Sequence, residues 1–196
     1  MKKVLLSAVA LLTIGFANAQ EEAAATTGGF AKGDMFLSGA FSIGSDKTGD
    51  VKSTGFEIEP KFGFFVTENI AVGAKLGYTS YKAENASVDT ADMAGLTAGA
   101  FGRYYMTPAS QFSLFGEFGF DYTSWEDKLA DAKTNEIGVG LGLGLSYFVS
   151  PNFALEASWA GLGYTTNDNG GNGAEKTNSF GLGADLRSIS FGLVYK

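Results

Sequence analysis

Eight segments of the chain alternate large apolar residues with small or polar residues at every second position. In residues 137–147 the odd positions hold isoleucine, valine, leucine or tyrosine, and the even positions hold glycine or serine. A period of two indicates β-strands, because successive side chains of a strand point to opposite faces. After residue 19 the chain has no run of about 18 apolar residues, the minimum for a transmembrane helix. The pattern predicts an all-β fold.

One short phrase occurs three times: an aromatic residue, an apolar residue, a hydroxyl residue, a polar turn, and then apolar alternation. The copies are residues 65–72, 105–114 and 148–155. Their hydroxyl residues Thr67, Thr107 and Ser150 are 40 and 43 positions apart (107 − 67 and 150 − 107). Each spacing accommodates two strands of about ten residues, one short turn and one long loop. Long loops are expected at about residues 45–54, 83–92, 126–134 and 165–178.

The orientation of the two strand faces follows from side-chain volume. The apolar face carries large residues in nearly every strand, more than eight strands can enclose, whereas the other face is small or polar. The apolar face should therefore contact lipid. In hydrocarbon every backbone N–H and C=O must be paired, and closure of the sheet achieves this. Residues 33–196 are predicted to form an eight-stranded antiparallel up-and-down transmembrane β-barrel with both termini in the periplasm.

Aromatic residues concentrate near the predicted strand ends. Those near the short turns or the end of the chain are Phe64, Tyr104, Phe112, Tyr147, Phe153 and Tyr195, and those towards the long loops are Phe56, Tyr78, Tyr122 and Trp159. Two such girdles are typical of the two membrane interfaces. The alternative is the general preference of β-sheets for aromatic residues.

The start of the chain has the features of a secretory signal peptide. Lys2 and Lys3 precede an apolar run over residues 4–16, and Ala17-Asn18-Ala19 follows. We expect residues 1–19 to be cleaved on export and residues 20–32, rich in Ala, Gly, Thr and Glu, to form a flexible periplasmic segment. The mature chain would carry 12 basic residues (14 − 2) and 21 acidic residues. This excess of acid argues against nucleic acid as a partner.

With its strand count, its three short turns and the closing residues 190–196, the chain resembles the OmpA/OmpX-type outer membrane β-barrel family of Gram-negative bacteria. The resemblance covers about residues 33–196 and implies a location in the cell outer membrane, in contact with its lipid and lipopolysaccharide. It also implies periplasmic chaperones and assembly by the outer-membrane insertion machinery, guided by the last strand. The residues expected to form that insertion signal are Ile189, Phe191, Leu193 and Tyr195.

Charged residues occur on the face that should line the barrel interior. They are Glu57, Glu59, Lys61, Lys75, Arg103, Glu117 and Glu156. Isolated charges at mid-depth are costly, so we expect them to pair across strands. Both signs occur, which favours a salt-bridge network that plugs the lumen. The alternative is a narrow path for ions or small solutes.

Glycine occupies every second position from Gly138 to Gly144, on the inward face of one strand. The period of two excludes a dinucleotide-binding loop, which has glycines at other spacings before a helix. Inside a barrel this row leaves room. We expect side chains such as Phe101, Arg103 and Phe115 to fill it, and a bound ligand is the alternative.

No catalytic residue, metal site or cofactor is predicted. The chain has no His and no Cys, so it lacks a Ser-His or Cys-His pair, and we expect it not to be an enzyme. The acidic residues of the loops are better explained as solvated surface than as a cation site. The sequence therefore predicts a structural or surface-interaction role, with an extracellular partner possible through the long loops. The alternatives are a narrow porin-like channel or a carrier of a small apolar ligand.

Overall fold

The structure of the protein is a computed structural model that describes residues 28–171, 173–184 and 190–196. The predicted signal peptide, residues 20–27 of the N-terminal segment, and Ile189 of the predicted insertion signal lie outside the described residues. So do the side chains of Trp159, Phe191 and Leu193. The described part of the chain contains no helix long and apolar enough to cross a membrane.

The described residues form antiparallel strands that close into a barrel. The strands are β1 (Met35–Thr48), β2 (Val51–Phe65), β3 (Ile70–Asn85), β4 (Val88–Tyr105), β5 (Phe112–Asp127), β6 (Ala132–Phe148), β7 (Phe153–Asn167), β8 (Thr177–Ala184) and β9 (Ser190–Tyr195). Each strand from β1 to β6 pairs with the next strand in sequence, and the second partner of β1 is β9. Both β8 and β9 pair with β7, so together they occupy the eighth position of the ring. The predicted eight-stranded antiparallel barrel is confirmed.

The large apolar side chains point outwards, as predicted. Phe118 and Leu141 are paired across β5 and β6, and they are 54% and 51% exposed. The girdle residues Phe64, Tyr104, Phe112, Tyr147, Tyr195, Phe56, Tyr78 and Tyr122 are exposed on the same outer surface. Phe153 is half-buried because its ring lies 5.1 Å from that of Tyr195. This surface is the one that contacts lipid.

The short turns that are expected to face the periplasm depend on the hydroxyl residue of the repeated phrase. Thr67 Oγ1 accepts a hydrogen bond of 2.9 Å from the backbone N–H of Ile70, and Ser150 Oγ accepts one of 3.1 Å from the N–H of Phe153. In the looser middle copy the hydroxyl of Thr107 donates to the carbonyl of Phe112 at 2.9 Å. The hydroxyl thus pairs a backbone group that the turn would otherwise leave unpaired.

The prediction of four long loops is wrong for three of them. Residues 49–50 alone separate β1 from β2, residues 86–87 separate β3 from β4, and residues 128–131 separate β5 from β6. Only the connection between β7 and β8, residues 168–176, is long. The ladder continues through polar residues because backbone hydrogen bonds do not require apolar side chains. Strands β1 to β7 have 14–18 residues. That is roughly 48–61 Å along the strand, and the apolar band of such a barrel is only about 25 Å tall.

Candidate functional site in the barrel lumen

A chain of ion pairs crosses the interior of the barrel. Arg103 on β4 lies directly opposite Glu117 on β5, and its Nε donates to Glu117 Oε2 at 2.5 Å. Arg103 Nη1 donates to Glu156 Oε1 on β7 at 2.7 Å. From the other side, Lys61 Nζ on β2 donates to Glu117 Oε1 at 3.0 Å. These four side chains connect strands that are nearly opposite in the ring.

A second set of pairs extends the chain towards the outer end. Lys75 Nζ lies 2.9 Å from Asp121 Oδ1 and 3.7 Å from Glu59 Oε2, and Glu59 Oε1 lies 3.3 Å from Lys61 Nζ. The lumen network is defined here as Glu59, Lys61, Lys75, Arg103, Glu117, Asp121 and Glu156. It contains three cations and four carboxylates. Because every member has a partner of opposite sign, no charge of the network is buried alone.

The network contains six of the seven charged residues that the sequence singled out. Glu57 lies on the inward face opposite Ser42, but it is exposed and forms no ion pair with the residues that the structure describes. Asp121 was not on the list, although it shares the parity of Glu117 on the same strand. Tyr105 was missed as well: its hydroxyl accepts from Arg103 Nη1 at 3.0 Å. Asp121 and Tyr105 could have been found from the alternation of inward and outward residues, because they lie on the same strand faces as Glu117 and Arg103.

A layer of aromatic side chains lies below the network, at the end of the barrel that is expected to face the periplasm. This aromatic layer consists of Phe36, Phe65, Phe101, Tyr105, Phe115 and Phe148. The guanidinium carbon of Arg103 lies 4.4 Å from the centre of the Phe115 ring and 5.2 Å from that of Phe101. A cation over an aromatic face is attracted by the negative charge of the ring face. The layer and the network are therefore in direct contact.

Several glycines make room for these rings. A Cβ atom at Gly144 would lie 2.4 Å from the Phe115 ring, and one at Gly63 would lie 2.2 Å from the Phe36 ring. The expected filling of the β6 glycine row therefore occurs at Gly144. At Gly140 and Gly142 the nearest atoms to such a Cβ belong to the backbone of β7. The middle of the row is thus lined by backbone, whereas at Gly138 the nearest atoms to such a Cβ belong to the side chains of Thr165 and Asp121.

A cavity of about 520 Å³ remains beside the lumen network. Its wall includes the small residues Ser38 and Gly142 and the carboxylate-bearing residues Glu57 and Glu59. Ser38 is 4% exposed, and its hydroxyl has no hydrogen-bond partner among the described residues. The described residues contain no group of three or more His, Cys, Asp or Glu placed to hold a metal ion. The cavity wall thus combines apolar surface with charged side chains of both signs.

The comparisons with known proteins agree with this architecture. The barrel resembles the outer membrane protein OprG from Pseudomonas aeruginosa with a TM-score of 0.52 and 16% identity, over 85% of this chain and 97% of that one. Neisserial surface protein A has a TM-score of 0.49 and 21% identity, over 83% and 96%. At these identities the likeness to OprG shows the fold. No curated protein matches the sequence.

The family model for the outer membrane protein beta-barrel domain matches residues 7–187, more than half of the chain. The closed antiparallel ladder, the apolar outer surface and the charged lumen are the features that such a domain requires in the outer membrane. The chain belongs to the outer membrane protein β-barrel domain family, and its location is the cell outer membrane of a Gram-negative bacterium.

Proposed function

We propose that the protein is a closed barrel with a structural or surface-interaction role, and that it does not conduct solutes. The observation that supports this proposal is the series of contacts from Lys61 through Glu117 and Arg103 to Glu156, at 3.0, 2.5 and 2.7 Å. It joins β2 to β5 and β4 to β7. Each of these pairs of strands is three positions apart in a ring of eight, so the side chains meet across the lumen.

The surroundings of Arg103 make this closure stable. Arg103 is 4% exposed and carries one carboxylate on Nε and another on Nη1. Opening the lumen here requires separating a buried cation from both partners, and breaking a buried pair typically costs about 3–5 kcal/mol. The aromatic layer below leaves no polar path for a hydrated ion. A permanently closed lumen places any function on the outer surface.

The extracellular end of the barrel, beyond the girdle, is rich in charged side chains. Its side chains form exposed ion pairs, such as Lys133 with Glu126 at 3.4 Å and Lys128 with Asp92 at 3.4 Å. In the absence of four long loops, the strand extensions and the 168–176 connection are the surface that an extracellular partner or lipopolysaccharide would contact. We also propose that β9 guides assembly by the insertion machinery. The Tyr195 side chain of β9 points outwards, and the backbone of Tyr195 lies in register with Leu37 on β1 and Phe153 on β7.

Conductance in planar bilayers tests the closed lumen. The folded mature protein is expected to produce no current steps. Heat-dependent gel mobility of the protein sample added to the bilayer confirms that the barrel is folded. Stable current steps that grow with salt concentration would show an open lumen and contradict the proposal.

A second candidate is a narrow path or binding cavity for small cations. It is favoured by the 520 Å³ cavity, whose wall bears four carboxylates (Glu57, Glu59, Glu117 and Glu156) and only two cationic residues, Lys61 and Arg103. Such a wall suits a small cation better than the apolar ligand considered from the sequence. Current steps whose reversal potential in a salt gradient shows selectivity for cations over anions would support this candidate. We expect no catalysis, since the chain has no His and no Cys.

A further inference from the structure

The segment before β1 enters the periplasmic mouth of the barrel. We propose that residues 28–34 form a cork that seals this mouth, and that Lys196 latches the cork in place. The cork is a separate element from the cross-lumen ion pairs, and the inference rests on the proposed closed lumen. Residues 28–32 belong to the stretch that the sequence suggested was flexible. In the structure residues 28–30 are packed against the barrel, whereas Ala31 and Lys32 are exposed.

Phe30 is the part of the cork that fills the lumen. It is 2% exposed. Its ring centre lies 4.7 Å from that of Phe65, 4.9 Å from Phe148, 5.3 Å from Tyr105 and 5.5 Å from Phe36. Four rings of the aromatic layer, contributed by β1, β2, β4 and β6, thus surround one ring from outside the sheet. Without Phe30 these four rings would face an empty space at the mouth.

The backbone of the cork follows the rim closely. The N–H of Phe30 donates to the carbonyl of Pro108 at 2.7 Å, and the N–H of Gly33 donates to the carbonyl of Phe65 at 3.0 Å. A Cβ atom at Gly28 would lie 2.4 Å from Phe148, and one at Gly29 would lie 2.5 Å from the carbonyl oxygen of Ala109. Only glycine fits at these two positions, so the sequence of the segment is adapted to this path.

Lys196 joins the cork to the adjacent part of the rim, since it follows β9, the strand that pairs with β1. Its Nζ lies 2.9 Å from Asp34 Oδ2 and donates to the carbonyl of Gly29 at 2.5 Å. Its own backbone is held by the turn between β6 and β7: its N–H donates to the carbonyl of Asn152 at 2.9 Å, and Asn152 Nδ2 donates to its carbonyl at 3.0 Å. Asp34 Oδ2 also accepts the N–H of Ala31 at 2.8 Å. One side chain therefore fixes both ends of the cork.

The absence of cysteine allows a direct test with a single reporter thiol. Ala154 is fully buried on β7 and belongs to the same buried cluster as Phe30. In the folded mature protein in nanodiscs, the Ala154→Cys thiol should react with a maleimide at least about 100-fold more slowly than a thiol at the exposed position of Lys32. Adding Phe30→Ala, or Lys196→Met if the first variant does not fold, should raise the rate by about tenfold or more. Phe64→Ala, which removes a ring from the outer face, is the matched control and should leave the thiol protected.

Two results would overturn the cork. One is rapid labelling of Ala154→Cys in the otherwise unchanged protein. The other is a labelling rate that changes by less than about tenfold in a folded Phe30→Ala or Lys196→Met variant. Conductance separates this outcome from failure of the proposed function. A protected thiol in a protein that conducts would contradict the closed lumen alone, and an unprotected thiol in a silent protein would contradict the cork alone.

Discussion

The two ends of the barrel share one hydrogen-bonded ladder and differ in what lies inside it. At the periplasmic end, Phe36, Phe65, Tyr105 and Phe148 are each at most 2% exposed, and Phe30 packs among them. At the outer end, all residues of β1 from position 41 to 48 are exposed on both faces of the strand. Strand pairing extends the sheet without a core, whereas closure of the lumen requires side chains of matched size and charge.

The ion pairs show the same contrast. The side chain of Arg103 in the lumen is 3% exposed, whereas Lys133 and Glu126 on the outer hairpin are 70% and 44% exposed. Water screens the outer pair and competes for its hydrogen bonds, so such pairs contribute about 0–1 kcal/mol. The two ion pairs of Arg103 are much less open to such competition, because their side chains are at most 16% exposed. The stability of the barrel should therefore depend on its periplasmic half.

Removing the central cation should have the largest effect. Arg103→Met leaves the carboxylate of Glu156 buried without its cation and leaves Glu117 paired with Lys61 alone. We expect a loss of about 5 kcal/mol in the free energy of unfolding, the upper end for breaking a buried pair. The control Lys133→Met should cost less than about 1 kcal/mol. Urea unfolding in lipid vesicles, followed by tryptophan fluorescence, measures both. Equal losses in the two variants would show that the lumen network is as well solvated as the surface.

A less disruptive substitution in the lumen network can be used if Arg103→Met does not fold. Glu156→Gln retains a hydrogen-bond acceptor for Arg103 Nη1 and removes one charge from the network. Its loss should fall between those of Arg103→Met and Lys133→Met. No loss at all would indicate that the contact between Arg103 and Glu156 at 2.7 Å adds nothing to stability.

Two consecutive phenylalanines of β2 allow the inner and outer faces of the barrel wall to be compared at the same depth. Phe65 is fully buried in the aromatic layer, and Phe64 is 40% exposed on the lipid side. Phe65→Ala should cost about 3–4 kcal/mol, because a cavity remains among the rings. Phe64→Ala should cost roughly 1.5–3 kcal/mol, since acyl chains fill the space and only the transfer term is lost. The same unfolding experiment measures both, and a larger loss for Phe64→Ala would refute the packed mouth.

The sequence predicted the strands that alternate apolar and small residues, and the outward face of girdle residues such as Tyr104 and Tyr122. It could not predict the outer extensions. Residues 48–54 contain no apolar alternation, yet Asp46 pairs with Ser53 and Lys47 with Lys52. Backbone hydrogen bonding continues outwards from the apolar part of β1 and β2, and it leaves no alternation of side chains in the sequence. The position of Phe30 was equally hidden, because one aromatic residue in a segment rich in Ala and Gly carries no periodic signal.

Substitutions in the tight turns at the outer end should change the free energy of unfolding by less than the substitutions in the lumen. Ala86 and Ser87 close the β3–β4 hairpin with φ angles of 49° and 66°, a left-handed conformation that costs about 1–2 kcal/mol for ordinary residues. Replacing them by Asn and Gly should raise the free energy of unfolding by about 1 kcal/mol. Gly49→Ala, at a φ of 62° in the neighbouring hairpin, should lower it by a similar amount. If neither change alters urea unfolding, the tips unfold before the barrel and do not contribute to its stability.

The smallest effect is expected at the connection between β7 and β8. Asp168 Oδ1 accepts the backbone N–H of Asn135 at 2.8 Å, and Oδ2 accepts Asn135 Nδ2 at 2.8 Å. These hydrogen bonds hold the pKa of Asp168 below its ordinary value of 3.8. The contribution is therefore fully present above pH 3.8 and is lost as the pH falls through the lower pKa of the folded state. The N–H of Gly170 also donates to Asp168 Oδ1, at 3.1 Å. Asp168→Asn should speed hydrogen exchange of the Asn135 and Gly170 amides at neutral pH without changing urea unfolding of the barrel. Loss of barrel stability in this variant would mean that the outer end supports the ladder below it, and the contrast between the two ends would then fail.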